Sequence, residues 1–282
     1  MTTDATVAVK EWWTANPMDY GADVLESDER ARAFFEDVDE RFYRMNHPLH
    51  TDEGKFDRLF PYDRYEGLPV LEVGCGLGTM AMNWARQGSN LHAVDLTPQA
   101  VALSTRRFQL HGLPGQISCG DARRLPFGDD SFDYVYSWGV LHHGPEIQQS
   151  LDEIYRVLRP GGEIGVMLYN RRSLRQLYIT LLEGILHCER KFLTPLEFNS
   201  RYADGATEEG NPYTWPVTVP ECKNKLFRRF EHIRTRLLGT ELDDNFPVVF
   251  PMIGSLAPRA IKKLYARYLG WSIWITARKG VK

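Results

Sequence analysis

Long apolar runs are missing from this chain: nowhere do the roughly 20 consecutive apolar residues of a membrane-spanning helix occur. Cysteine is scarce. The 4 present (Cys75, Cys119, Cys188 and Cys222) are scattered, with no Cys-x-x-Cys pair. That spacing argues against structural zinc and fits reduced thiols in a cytosol. No excess of either charge is present: 34 Lys and Arg oppose 37 Asp and Glu, a formal net charge of −3. A nucleic-acid partner is disfavoured by that balance, because phosphate binders carry a basic face. The start, Met1-Thr-Thr-Asp-Ala-Thr6, has neither the basic nor the apolar part of a secretory signal, so a cytoplasmic location is expected. Repeats and low-complexity linkers are also lacking. What remains is 282 residues of ordinary globular composition, enough for one large domain or a core with a small cap.

The informative stretch is Val70-Leu-Glu-Val-Gly-Cys-Gly-Leu-Gly-Thr79. A short apolar strand runs into alternating glycines, and Thr79 to Arg86 then reads as a helix. Strand, glycine loop and helix N-terminus together let backbone approach a ligand closely. The spacing is Gly74-x-Gly76-x-Gly78, with Thr79 where the dinucleotide fingerprint has its third glycine. Asn90 to Asp95 then reads as a second strand ending in a carboxylate, at the distance where an acid usually meets ribose hydroxyls. A third strand, from Gln116, ends near Asp121, and a fourth runs from Ser131 to Gly139. Glu146 to Leu158 is apolar at Ile147, Leu151, Ile154 and Leu158, one face of a helix. Arg159-Pro-Gly-Gly162 ends that helix, and Glu163 to Tyr169 reads as a further strand. Strands alternating with helices imply a parallel, doubly wound α/β sheet.

The series Leu-Glu-Val-Gly-Cys-Gly-Leu-Gly-Thr, Val-Asp-Leu-Thr, Gly-Asp-Ala-(x)3-Leu-Pro-Phe, Ser-Phe-Asp-(x)8-Leu-His-His and Leu-Arg-Pro-Gly-Gly, from Val70 to Tyr169, resembles class I S-adenosylmethionine-dependent methyltransferases. It is most similar to their type 11, UbiE-like branch of small-molecule enzymes. The resemblance implies a seven-stranded, mostly parallel sheet in the order 3-2-1-4-5-7-6, with Glu231 to Leu238 and Trp271 to Ala277 as its antiparallel end. It implies S-adenosyl-L-methionine as cofactor, with Gly74, Gly76 and Gly78 lining the methionine and ribose parts and Glu72 fixing the loop. Cys75 lies within the same loop as a small packing residue. Asp95 would hold the ribose diol, a role left open to it because Thr97 is the better cap for the next helix. Leu96 would pack on adenine, and Asp121, with Ala122 beside it, would accept from the adenine amino group. Ser137, Trp138 and Gly139 would floor the methionine end.

His142 and His143 follow the fourth strand, where an imidazole could deprotonate a hydroxyl or ammonium acceptor. His143 could instead cap or contact the Pro145 helix. Tyr20 is a candidate partner for them, similar to the Tyr–His pair of phosphoethanolamine methyltransferases. No metal ligand set is expected. Residues 1–68 read as an N-terminal helical lid segment, with a helix from Ser27 to Asn46, and 69–282 as the methyltransferase domain. Within it, a cap insertion at about 170–220 carries a helix from Ser173 to His187, and Val219 to Arg229 reads as another. Loops this long often cover sites. Asn211-Pro-Tyr213 resembles a fragment of the Asn/Asp-Pro-Pro-Tyr motif of amino-group methyltransferases but stands in the insertion, and reads as a turn. The partner expected is a small-molecule acceptor, with no nucleic acid and no membrane. Two other readings stay open: an NAD-dependent dehydrogenase with an atypical loop, and a non-catalytic adenosyl-ligand binder.

Overall fold

The computed structural model describes residues 2–15, 27–52, 54–202, 210–239 and 258–281. Its centre is a seven-stranded sheet in the order β3-β2-β1-β4-β5-β7-β6, built from β1 (Pro69–Val73), β2 (Asn90–Asp95), β3 (Gln116–Cys119), β4 (Phe132–Trp138), β5 (Leu158–Tyr169), β6 (Glu231–Leu238) and β7 (Ser272–Arg278). The pairs β1–β2, β1–β4, β2–β3 and β4–β5 are parallel. β7 runs antiparallel to both β5 and β6. The expected architecture and strand order are therefore what the chain adopts.

Local chemistry sets the helix starts. In α1 (Thr2–Ala15) and α2 (Asp28–Met45) the chain is helical before the sheet begins, and Ser27 caps α2 by accepting from the Arg30 N–H. α3 (Thr79–Arg86) springs from the glycine loop, while Thr97 caps α4 (Pro98–His111) with Pro98 in its first turn. α5 (Ile147–Val157) covers one sheet face through Leu151, Ile154 and Val157. The opposite face is aromatic: Phe60, Trp84, Tyr134, Tyr136 and Trp274 pack together, with Phe60 and Tyr136 ring centroids 5.1 Å apart. Phe56, Phe60, Tyr62 and Tyr65 bring residues N-terminal to β1 into this core.

Four segments differ from expectation. Arg159-Pro-Gly-Gly162 does end α5, yet these residues also belong to β5, which starts at Leu158. They form an irregularity in which Phe132 opposes Leu158 but Tyr134 opposes Glu163. The Gly161 N–H and Gly162 C=O are satisfied across this bulge by Lys279, at 3.0 and 2.9 Å. In the insertion, α6 (Leu174–Ile179) begins at Ser173, but residues 180–186 continue in wider i→i+5 turns. α7 (Pro195–Arg201) follows. The helix read over Val219 to Arg229 is shorter: α8 (Val219–Glu221) widens the same way over 222–226. α9 (Arg259–Leu269) was not expected, although Ile261, Leu264, Tyr265 and Tyr268 carry its period. Among the described residues no helix is long and apolar enough to cross a membrane.

Candidate functional site

The glycine loop sits at the C-terminal end of β1, at the switch in strand order where open α/β sheets bind ligands. Val94 O of β2 accepts from the N–H groups of Gly74 and Cys75, at 2.8 and 3.0 Å. Gly74 has φ +82°, and a Cβ there would stand 2.3 Å from Val140 Cγ2. Glycine is therefore required at this point by the loop's own geometry. Cys75 is buried within the loop, and burial pushes its thiol well up, which fits packing rather than thiol chemistry.

Asp95 stands at the tip of β2, but it is not left free by the Thr97 cap. Thr97 does cap α4, accepting from the Ala100 N–H at 3.3 Å. It also donates its own N–H and hydroxyl to Asp95 Oδ1, each at 3.0 Å. Asp95 Oδ2 accepts from the Gly76 N–H at 2.9 Å. Three of the carboxylate's roughly four acceptor positions are thus filled by the protein. One remains on Oδ2, so both hydroxyls of a diol bind only if Thr97 yields. Leu96 is half-buried beside it.

Asp121 lies just past β3 and is held by Arg123, a residue whose role the sequence reading missed. The Arg123 N–H and Nη2 donate to it at 2.9 and 2.7 Å. Burial raises the Asp121 carboxyl, but the Arg123 bonds outweigh it and the net shift is downward. Arg123 Nη1 also donates to Glu146 Oε2 at 2.9 Å and to Thr6 Oγ1 of α1 at 2.6 Å. Any ligand donor that reached Asp121 would therefore share it with a guanidinium. Ala122 is turned toward the core.

Glu72 is 2% exposed, and its Oε2 has no hydrogen-bond partner among the described residues. Burial, helped by the nearby Asp95 charge, pushes its carboxyl from 4.5 to about 8. The folded chain thus keeps a proton that the unfolded chain releases. This contribution to stability is fully present below about 4.5 and is lost as pH rises through about 8. Glu72→Gln, neutral at every pH, should lose that part of the decline. In urea unfolding from about pH 5 to 9, the difference from wild type should move steadily in the variant's favour. A difference that stays constant would show a carboxylate ionised throughout.

At the end of β4, Ser137 and Trp138 are committed to the scaffold. The Ser137 hydroxyl donates to Val73 O at 2.8 Å, tying β4 to β1. Trp138 packs on Phe56 and Trp274, with centroids 5.2 and 5.8 Å away. Trp138 nevertheless stays partly exposed, and Gly139 after it has φ +73°.

The histidines occupy a tight turn, Leu141–His143, with ring centroids 4.2 Å apart. Both are buried. His142 lies on Tyr169 at 4.0 Å, and its C=O accepts from the Trp215 N–H at 2.9 Å. His143 turns to the insertion rather than to the Pro145 helix: its Nδ1 lies 3.0 Å from Thr214 Oγ1 and 3.3 Å from Tyr213 O. Trp13 of α1 meets the His143 ring edge-on at 5.4 Å. Tyr20 lies outside the described residues. Asn211-Pro-Tyr213 is a turn as expected, with Asn211 Oδ1 accepting from the Tyr213 N–H at 3.1 Å. The insertion leaves at Tyr169 and returns beside it, the Val217 N–H donating to Tyr169 O at 2.9 Å. Among the described residues no group of three His, Cys, Asp or Glu side chains could hold a metal.

Comparison with known proteins agrees with this geometry. A family profile described as a methyltransferase domain matches residues 71–166. An uncharacterized protein of Mycobacterium tuberculosis is 40% identical over 101 residues, which is 36% of this chain and 37% of that relative. The methyltransferase GfsG of Streptomyces halstedii is 28% identical over 217 residues, 76% of this chain and 72% of its own length. Among solved structures, the [4+2]-cyclase SpnF shares the fold with a TM-score of 0.53 and 19% identity, over 86% of this chain and 95% of its own. Residues 71–166, which hold the glycine loop and the acidic strand tips, thus match a methyltransferase domain, and the strand order of the whole sheet is the one that this resemblance implies.

Proposed function

We propose that the chain transfers the methyl group of S-adenosyl-L-methionine to a hydroxyl or amine of a small molecule. The observation that carries this reading is the convergence, at one end of the sheet, of the glycine loop, Asp95 and Asp121 with a buried histidine pair beyond β4. The residues fit the cofactor. Gly74 lets the loop take a left-handed turn at the end of β1, and Asp95 Oδ2 keeps one acceptor position for a ribose hydroxyl. The bound cofactor would supply a methyl already activated by its sulfonium.

The chain's own residues then align the partners and exclude water, and a histidine of the 142–143 pair takes the acceptor's proton. Helix α1, which reaches Arg123 through Thr6 and His143 through Trp13, acts as a lid. The insertion supplies the wall on the histidine side. The even charge balance favours a small molecule over nucleic acid.

Calorimetric titration with S-adenosylhomocysteine, with NAD⁺ as competitor, tests the cofactor. Saturable binding of the first alone is expected, and binding of NAD⁺ alone would return the dehydrogenase reading. Asp95→Ala should weaken binding by roughly 1–3 kcal/mol, since hydrogen bonds to a charged acceptor are lost. Unchanged affinity in a folded variant would remove Asp95 from the site.

A second reading is a protein that binds the adenosyl ligand without transferring methyl. The fold alone does not choose the reaction, as the neighbour named a cyclase illustrates. Screening small acceptors for methyl transfer separates the two.

A further inference from the structure

We propose that Thr214 and Asn211 of the insertion are positioning residues that hold His143 in one tautomer, with hydrogen on Nδ1 and the lone pair on Nε2. This assigns the base to His143 within the reading above, on which it rests.

The argument is a chain of directional hydrogen bonds. The Tyr213 backbone N–H can only donate, so the oxygen of the Asn211 side chain must be the atom 3.1 Å from it. That fixes the orientation of the Asn211 amide. The same Oδ1 lies 2.7 Å from Thr214 Oγ1. A carboxamide oxygen only accepts, so the single hydroxyl hydrogen of Thr214 points to Asn211. Its lone pairs are then what His143 Nδ1 meets at 3.0 Å, and Nδ1 must carry a hydrogen. Tyr213 O, 3.3 Å from Nδ1, can likewise only accept, and reaches the same answer independently. The neutral imidazole therefore bears its lone pair on Nε2.

The arrangement is held firmly. Thr214 is 0% exposed, Asn211 2% and His143 4%. The Thr214 N–H is anchored by Ser200 Oγ of α7 at 2.9 Å. When the acceptor's O–H or N–H gives its proton to Nε2, the bonding pair stays on the acceptor heteroatom. The imidazolium that forms keeps its Nδ1–H donating to Thr214 and Tyr213, so the contacts behind the ring are unchanged. An orienting group behind a base is a general device of acid–base catalysis. Here it is a neutral hydroxyl and amide, about 70 residues away in sequence.

The test uses the full chain labelled with ¹⁵N-histidine. Long-range ¹H–¹⁵N correlation spectra of the neutral rings separate the two tautomers, and His143→Gln identifies the signal among 8 histidines. Wild type should show a protonated Nδ1 and an unprotonated Nε2. The opposite tautomer overturns the proposal, and this measurement needs neither cofactor nor acceptor. Thr214→Val should mix the tautomers, while Thr214→Ser and Asn211→Asp, which keep the oxygens, should preserve them.

In methyl transfer, Thr214→Val should lower kcat by about tenfold or more without altering KM, within the usual range of a general base. Thr214→Ser should stay near wild type. A Thr214→Val enzyme with full kcat overturns the positioning role. Failure to bind S-adenosylhomocysteine would instead remove the cofactor reading, leaving the tautomer result standing.

Discussion

Arg107→Ala should lower the free energy of unfolding by about 3–5 kcal/mol, the range for breaking a buried ion pair by removing one partner. Arg107 is fully buried on α4. Its guanidinium pairs with Asp39 of α2 and donates to Thr79 Oγ1 at 2.8 Å and Leu77 O at 3.2 Å. It also lies over the Phe35 ring at 5.1 Å. Thr79 in turn donates to Asp39 at 3.1 Å. Alanine would leave a mostly buried Asp39 without its cation, the Leu77 carbonyl without its donor, and a cavity. Replacing both partners, as Arg107→Met with Asp39→Leu, should cost far less, because no lone charge is stranded. Urea unfolding of the three proteins decides it. A loss below about 1 kcal/mol for Arg107→Ala would mean the network contributes no more than an exposed pair.

Gly74→Ala should cost roughly 2–5 kcal/mol, combining about 1–2 for a side chain in the left-handed region with 1–3 for overpacking. The Val140 side chain already occupies the space: its two methyls would lie 2.3 and 2.6 Å from the new Cβ. Gly112→Ala provides the comparison. Its φ of +60° carries a similar backbone penalty, but nothing stands within 4 Å of a Cβ there. The difference in unfolding midpoint between the two variants therefore isolates the steric contribution. Equal losses would show that Val140 moves aside at little cost. In Gly74→Ala, affinity for S-adenosylhomocysteine should fall with stability, because the displaced loop is the one proposed to hold the ligand.

The strands were readable because each carries a local signal, in apolar runs, glycine punctuation and acids at the strand tips, whereas their order came from the family resemblance alone. The bonds that decide how the site works are not local. Asp95 reads as available because its cap is assigned to Thr97. Only the folded chain shows Thr97 donating back to it, with Gly76 as a third donor. Arg123 is two residues from Asp121, yet a charge in a turn ordinarily reads as solvated, and its contact with Thr6 reaches across 117 residues of sequence. Arg107 resembles any surface arginine of an amphipathic helix until α2 closes over it. The histidines were legible as candidates, but the choice between them lies with Thr214, in a stretch whose sequence carries no periodicity. Likewise Pro160 and the two glycines after it mark a helix end correctly and hide a bulged strand start, since pairing with β7 and its flank supplies the missing partners.

Helix α1 has a thermodynamic corollary. It touches Arg123, which holds Asp121, through Thr6, and His143 through Trp13, so in the proposed lid role it meets both ends of the site. Molecules occupying the two ends would share the free energy of seating it. The first to arrive bears that cost and the second finds it already met. Linkage makes the effect symmetrical: whatever factor one ligand lends the affinity of the other, it receives in return.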